Sequence, residues 1–195
     1  MKFSGFIKRL LITFTLFISL NSQAGIITFN FEEDLSDDQH SISYISDYFT
    51  LTVEAFNPNG SNGDISRWID GLGVSTNPDS NRLGLNEYIT FTLEGASFDM
   101  ITLLFPTNAG GNKNALGGLD VANISFDDGN NESFSGYTTS WTSQKVDASS
   151  FTIRASGNGN GFRVREVQFD VPEPTTLAIF ALGLIGLASR RFKKQ

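Results

Sequence analysis

Three groups of residues are of a kind and spacing that could do chemistry. The first is acidic: Glu32, Glu33, Asp34, Asp37 and Asp38 stand within seven positions. Hard carboxylate oxygens grouped in this way can hold Ca²⁺. The second is Asp127-Asp128-Gly129-Asn130-Asn131-Glu132, also oxygen-rich. Neither has the spacing of the twelve-residue loop that ends on a bidentate glutamate. The plainer reading of the first is a solvated acidic loop. For the second it is a hairpin turn, because Asp-Gly lies between Ile124-Ser-Phe126 and Glu132-Ser-Phe134. The third group is the pair Trp68 and Trp141, whose ring faces could stack on a sugar if exposed and otherwise pack at the core edge.

Other chemistry is bounded by what the sequence lacks. It contains no cysteine and a single histidine, His40. Thiol chemistry and multi-histidine metal sites within one chain are therefore excluded. No Gly-x-Ser-x-Gly elbow accompanies His40. Twenty acidic residues in the central region guarantee chance carboxylate pairs, so no glycosidase pair can be picked out. The expectation is a protein that is not an enzyme and has no cofactor, with a structural Ca²⁺ as the one candidate ion.

These residues need elements to position them. Short apolar or alternating runs recur between Gly, Asn, Asp and Ser clusters: 26–31, 48–56, 88–93, 100–105, 120–126, 132–138, 151–155 and 162–171. In 48–56, Phe49, Leu51, Val53 and Ala55 alternate with threonines and Glu54. In 120–126, Val121 is followed out of phase by Ile124 and Phe126, which suggests a bulge. In 162–171 the apolar phase changes near Arg165-Glu166. No window before residue 175 carries a helical period. Eight strands in 146 residues predict an all-β domain, a two-sheet antiparallel β-sandwich of jelly-roll or lectin-like form, with an open barrel as the alternative. The segments 57–64, 108–114 and 157–161 read as loops. Thr50/Thr52, Thr90/Thr92 and Thr138/Thr139 read as isolated pairs, which is too sparse for the flat array that would bind ice.

Two addresses flank the domain. Lys2, Lys8 and Arg9, then the apolar run Leu10–Leu20, then Ser22-Gln23-Ala24 form a signal peptide over residues 1–24. The eleven-residue run is short of the roughly twenty residues that span a bilayer. At the other end Val171-Pro172-Glu173-Pro174 leads into an apolar segment, 175–189, and the basic end Arg190-Arg191-Phe192-Lys193-Lys194. As a helix, 175–189 would cover about 22 Å at roughly 1.5 Å per residue, a marginal transmembrane length. The basic residues favour the cytoplasmic side. With both ends removed, residues 25–170 hold seven basic and twenty acidic residues, a formal charge of −13. Such acidity argues against nucleic acid and against an anionic membrane surface.

The C-terminal pattern resembles the PEP-CTERM sorting signal of Gram-negative bacteria, a signature also labelled as an ice-binding protein C-terminal domain. Pro172, Glu173 and Pro174 match its triplet, and residues 171–195 match its layout. The resemblance implies export, a membrane-anchored precursor that meets the inner membrane transiently, and processing by an exosortase. It further implies association with exopolysaccharide or biofilm matrix at the cell surface. Asp70-Gly-Leu-Gly-Val74 followed by Asn86-Glu-Tyr-Ile-Thr90 resembles a pattern in other exported proteins of this class. The functional expectation is an envelope or matrix protein, with a carbohydrate-binding module centred on Trp68 and Trp141 as the alternative.

Overall fold

The computed structural model describes residues 25–32, 39–46, 49–75, 81–107 and 115–172, with Gly183 beyond them. Residues Ile26–Val171 form one compact unit. The signal peptide, the acidic run 33–38, the loop 108–114, Glu173, Pro174 and the segment 175–189 apart from Gly183 lie outside the described residues.

Thirteen strands are found among the described residues: β1 (Gly25–Asn30), β2 (Ser41–Ile45), β3 (Thr50–Phe56), β4 (Asp64–Trp68), β5 (Gly71–Ser75), β6 (Asn81–Arg82) and β7 (Tyr88–Glu94), then β8 (Met100–Leu104), β9 (Asp120–Phe126), β10 (Asn131–Ser135), β11 (Ser140–Thr142), β12 (Ser150–Gly157) and β13 (Glu166–Val171). They form a four-stranded sheet in the order β1-β13-β8-β11, a six-stranded sheet in the order β10-β9-β12-β7-β3-β2, and a small sheet β4-β5-β6. From β7 onward the chain changes sheet at nearly every step, as jelly-roll connections do. The domain is an all-β antiparallel sandwich, as the strand pattern predicts.

Phenylalanine holds the two large sheets together. Phe151 in β12 stacks on Phe91 in β7 at 4.8 Å and meets Phe169 of the opposite sheet at 6.1 Å. Phe98 fills the space between them, 5.1 Å from Phe169 and 6.3 Å from Phe151. All four rings are buried, with the inward residues of β3, β7, β8, β9, β12 and β13 around them in one core. Area removed from water is the main stabilising contribution here, and offset or edge-to-face ring pairs add to it.

All eight expected strands are present, but the one expected at 162–171 begins only at Glu166 and the one expected at 132–138 ends at Ser135. The bulge expected in β9 is not found. Its register with β12 runs unbroken from Phe126 to Asp120, and Ala122, Ile124 and Phe126 are the inward residues. Val121 faces outward; small Ala122 carries the phase that Val121 was thought to carry. The change of phase after Val164 is real. Phe162 and Val164 bridge to Leu83 and Leu72, and the buried side chains resume at Val167, Phe169 and Val171 within β13.

The small sheet was not foreseen. Its strands carry Gly71 and Gly73 and lack alternation: Gly71–Val74 are buried throughout. Gly71 has φ +117°, and a Cβ there would run into the Val164 carbonyl oxygen. The glycine is what lets the β4–β5 hairpin lie against the chain before β13.

Candidate functional site

A recess among the described residues lies where the chain leaves β3 of the six-stranded sheet and enters β4 of the small one. Residues 57–59, 62–64 and Ser75 line an open depression of about 500 Å³. Its wall is the turn that joins β3 to β4, read from the sequence simply as a polar loop. The turn is braced from within. Asn57 Nδ2 donates to Ser61 Oγ at 3.0 Å and to the Asn62 carbonyl at 2.8 Å. Asn59 Oδ1 accepts from the Ser61 N–H and Oγ–H at 3.0 and 2.7 Å. Gly60, at φ +83°, donates its N–H to the Asn57 carbonyl. Gly63 must be glycine because a Cβ would press on Val74 and the Phe56 backbone.

The sheet braces the same turn from outside. His40 Nδ1 meets the Gly63 carbonyl at 3.2 Å, and its ring sits edge-on to Phe56 at 4.9 Å. Phe56 stacks flat on Tyr88 at 4.7 Å, and the Arg154 guanidinium covers the far face of that column 4.4 Å from the Tyr88 centroid. Four residues from four neighbouring segments thus form one row across the outer face of the sheet. The ring faces inside the column are occupied by each other, so they are a support rather than a sugar platform.

Beyond this row the outer face is rich in hydroxyls, and here the structure corrects the view that the threonine pairs are isolated. Thr52 pairs with Thr92 across β3 and β7. Thr90 pairs with Thr152 across β7 and β12, their hydroxyls 2.9 Å apart. Alternation within each strand put these threonines on one face; only the strand order could show that the strands are neighbours.

The residues picked out from the sequence are scattered. Trp68 ends β4 and is 45% exposed. Arg163 lies over its ring at 5.4 Å. Asp64 pairs with Ser75 and Trp68 with Gly71, so Trp68 and the depression stand at opposite ends of one hairpin. Trp141 sits in β11 opposite Leu103, an inward residue. It stacks on Phe134 at 4.7 Å and packs against the core. The two tryptophans are not brought together. Of the first acidic group only Glu32 is described; it caps Asn30 and lies 3.8 Å from Arg165. Glu33, Asp34, Asp37 and Asp38 lie outside the described residues. Among the described residues no group of three or more acidic or histidine side chains converges as metal ligands would.

The second acidic group is the β9–β10 hairpin turn, with Gly129 at φ +92°. Its carboxylates accept backbone N–H groups from the connection that leads into β12. Asp127 takes Ser149 N at 3.1 Å, Ser150 N at 3.1 Å and Ser149 Oγ at 2.6 Å. Asp128 takes Asn130 N at 2.8 Å and Asp147 N at 3.1 Å. Glu132 takes Gln144 N at 2.9 Å. Partial burial works to raise the Asp127 pKa, but the bonds from Ser149 and Ser150 outweigh it and hold the group below 3.8. A carboxylate with a depressed folded pKa stabilises the fold above its unfolded value and loses that contribution as pH falls through the folded one. Asp127→Ala is expected to cost about 1–2 kcal/mol at neutral pH, in the range of charge-assisted hydrogen bonds at an exposed position. In thermal unfolding against pH, the gap between wild type and variant should narrow once the pH drops below 3.8. A gap independent of pH would mean the carboxylate charge is not what holds the 144–150 connection.

Two buried carboxylates also serve the backbone. Asp120 accepts Gly117 N at 2.8 Å and Gly161 N at 3.0 Å. Glu87 accepts Gly84 N at 2.7 Å. They hold loops and are engaged there rather than facing a cleft.

Comparison with known proteins decides the class at the C-terminus. The PEP-CTERM protein-sorting motif matches residues 170–194. The chain carries a PEP-CTERM sorting motif. Its motif marks it for export, through a membrane-anchored precursor, and for processing by exosortase, a membrane enzyme, with delivery to the cell surface. No curated protein matches the chain. One solved structure that resembles it is described as "X-ray structure of GH31 CBM32-2 bound to GalNAc". It shares 13% identity over 78% of this chain and 100% of its own, with a TM-score of 0.36. A likeness that remote carries no argument about ligands. The sandwich and the motif are contiguous in sequence: β13 runs to Val171, and Pro172, the first residue of the triplet, follows it directly.

Proposed function

We propose that this protein is a non-enzymatic component of the cell envelope or extracellular matrix, whose β-sandwich associates with extracellular polysaccharide. The observation that carries this reading is the sorting motif at residues 170–194, joined without a linker to the last strand of the domain. The formal charge of −13 over residues 25–170 disfavours polyanions as partners, and a neutral or weakly charged polysaccharide meets no such repulsion. The hydroxyl-rich outer sheet face and the carboxamide-rich turn beside it supply the hydrogen-bonding groups that a hydrated polymer of sugars needs.

The test is co-sedimentation of the purified full chain with polysaccharide extracted from the producing cells. Saturable retention is the expected result. No retention, or release of reducing sugar on incubation, would overturn the reading. The same preparation, with and without CaCl₂, addresses the proposed structural ion at residues 32–38. A Ca²⁺-dependent rise in thermal midpoint supports it, and an unchanged midpoint removes it.

A further inference from the structure

We infer that the depression between the β3–β4 turn and Ser75 is a binding site for a neutral sugar unit that presents adjacent hydroxyls, either as a monosaccharide or as one unit of a polymer. The inference deepens the polysaccharide reading above and rests on it. It places the site away from both tryptophans.

Three features lead there. The first is rigidity of the wall. The turn is held by the Asn57 and Asn59 side chains within it and by His40 and the Ala55 carbonyl outside it. A recess whose walls are already fixed loses little ordering entropy when a ligand enters. The second is what the bracing leaves over. The side chains of Asn62, Asp64 and Ser75 line the recess, and among the described residues none has a hydrogen-bond partner. Asn57 Nδ2, Asn59 Oδ1 and Ser61 Oγ are engaged within the turn and Asn57 Oδ1 is buried without a partner among the described residues, whereas the side chains of Asn62, Asp64 and Ser75 keep their donors and acceptors for the recess.

The third feature is the chemistry of that set. A carboxylate accepts two O–H groups at once, a carboxamide both donates and accepts, and a hydroxyl does either. Adjacent sugar hydroxyls offer the complementary pattern. Among the described residues no lysine or arginine lines the recess, so phosphate and carboxylate ligands find no counter-charge there. Asp64 is its one carboxylate among the described residues, fewer than the several hard oxygen ligands that Ca²⁺ gathers. A volume of about 500 Å³ falls within the roughly 300–1,000 Å³ of small-molecule sites. Its open, polar lining suits a hydrated polyol better than an apolar molecule.

The test is titration of the full chain with glucose, galactose and mannose, and separately with the extracted polysaccharide, followed by amide NMR and calorimetry. The amides of residues 57–64 and of Ser75 should shift. Asp64→Ala and Asn62→Ala should each weaken binding about tenfold or more, and Trp68→Ala should leave it within about twofold. Both variants alter exposed side chains that have no partner among the described residues, so an unchanged thermal midpoint is expected and guards against misfolding as the cause. Polymer binding without monosaccharide binding, if lost in Asp64→Ala, supports the site with the polymer as its ligand. Binding that survives both variants, or that is lost in Trp68→Ala, overturns the site and leaves the polysaccharide reading standing. Shifts in the same amides with CaCl₂ alone, and none with sugars, would replace the sugar by a cation. Binding to neither sugar nor polymer removes both readings.

Discussion

Phe151→Ala is expected to lower the stability of the β-sandwich by about 3–5 kcal/mol, the range for deleting a buried aromatic side chain. For a domain of this size that is a fall in thermal midpoint of roughly 10–15 °C. Phe151 is 1% exposed and meets rings from both large sheets: Phe91 and Phe126 on its own, Phe169 on the other, and Phe98 between them. Truncation therefore removes more than transferred area. It also removes the stacked contact with Phe91, worth about 0.5–1.5 kcal/mol beyond burial, and leaves a cavity at the seam of two sheets that cannot close over it. Phe151→Leu keeps most of the volume and should lose clearly less. The measurement is denaturant unfolding of the full chain, read at tryptophan fluorescence. A loss within roughly 0.5 kcal/mol, as surface positions give, would mean that the two sheets do not meet across these rings.

That core was legible in the sequence because alternation is a local signal. Leu51, Val53 and Ala55 were assigned inward from spacing alone, and all three are fully buried. Where strands are buried on both sides the signal fails. Gly71-Leu72-Gly73-Val74 reads as a loop because it does not alternate and contains two glycines, yet it is the middle strand of the small sheet. Edge strands fail for the opposite reason. Ser41–Ile45 has no buried residue, only partly covered Ile42 and Tyr44, so nothing in its composition sets it apart from a polar connection.

The candidate site was harder to see for a different reason. Its groups come from a turn at 57–64 and from Ser75, and only the pairing of Asp64 with Ser75 brings them together. The sequence announces an Asn/Gly turn. It does not say which side chains that turn consumes internally and which it leaves outward. The tryptophans drew attention because of their type, and type alone could not tell that Trp141 shares the inward face of Leu103. By contrast, the C-terminal motif is contiguous and its chemistry is local, which is why Pro172-Glu173-Pro174 could be read directly.

Replacing Pro172, Glu173 and Pro174 together by alanine is expected to abolish C-terminal processing while leaving the sandwich intact. Two links carry this. Proline has no N–H and holds the residue before it extended. Pro172 therefore cannot donate to the β-ladder, and β13 ends at Val171. The two prolines flanking Glu173 favour an extended polyproline-like backbone, the form in which a peptide-processing enzyme can reach a chain. Alanine restores the missing N–H groups and favours helix, so the segment can join the apolar run that follows instead of standing apart from it. The fold should not notice: Val171 remains the last buried residue of β13, and the replaced positions follow that strand in the sequence. Mass spectrometry of protein recovered from producing cells should find the full-length C-terminus in the variant and a shortened one in the wild type, with equal thermal midpoints for the two domains. A variant still shortened at the same position would show that the triplet is not what the processing enzyme reads. A wild type that keeps its C-terminus through Gln195 in cells containing that enzyme would show that the chain is held as an ordinary anchor.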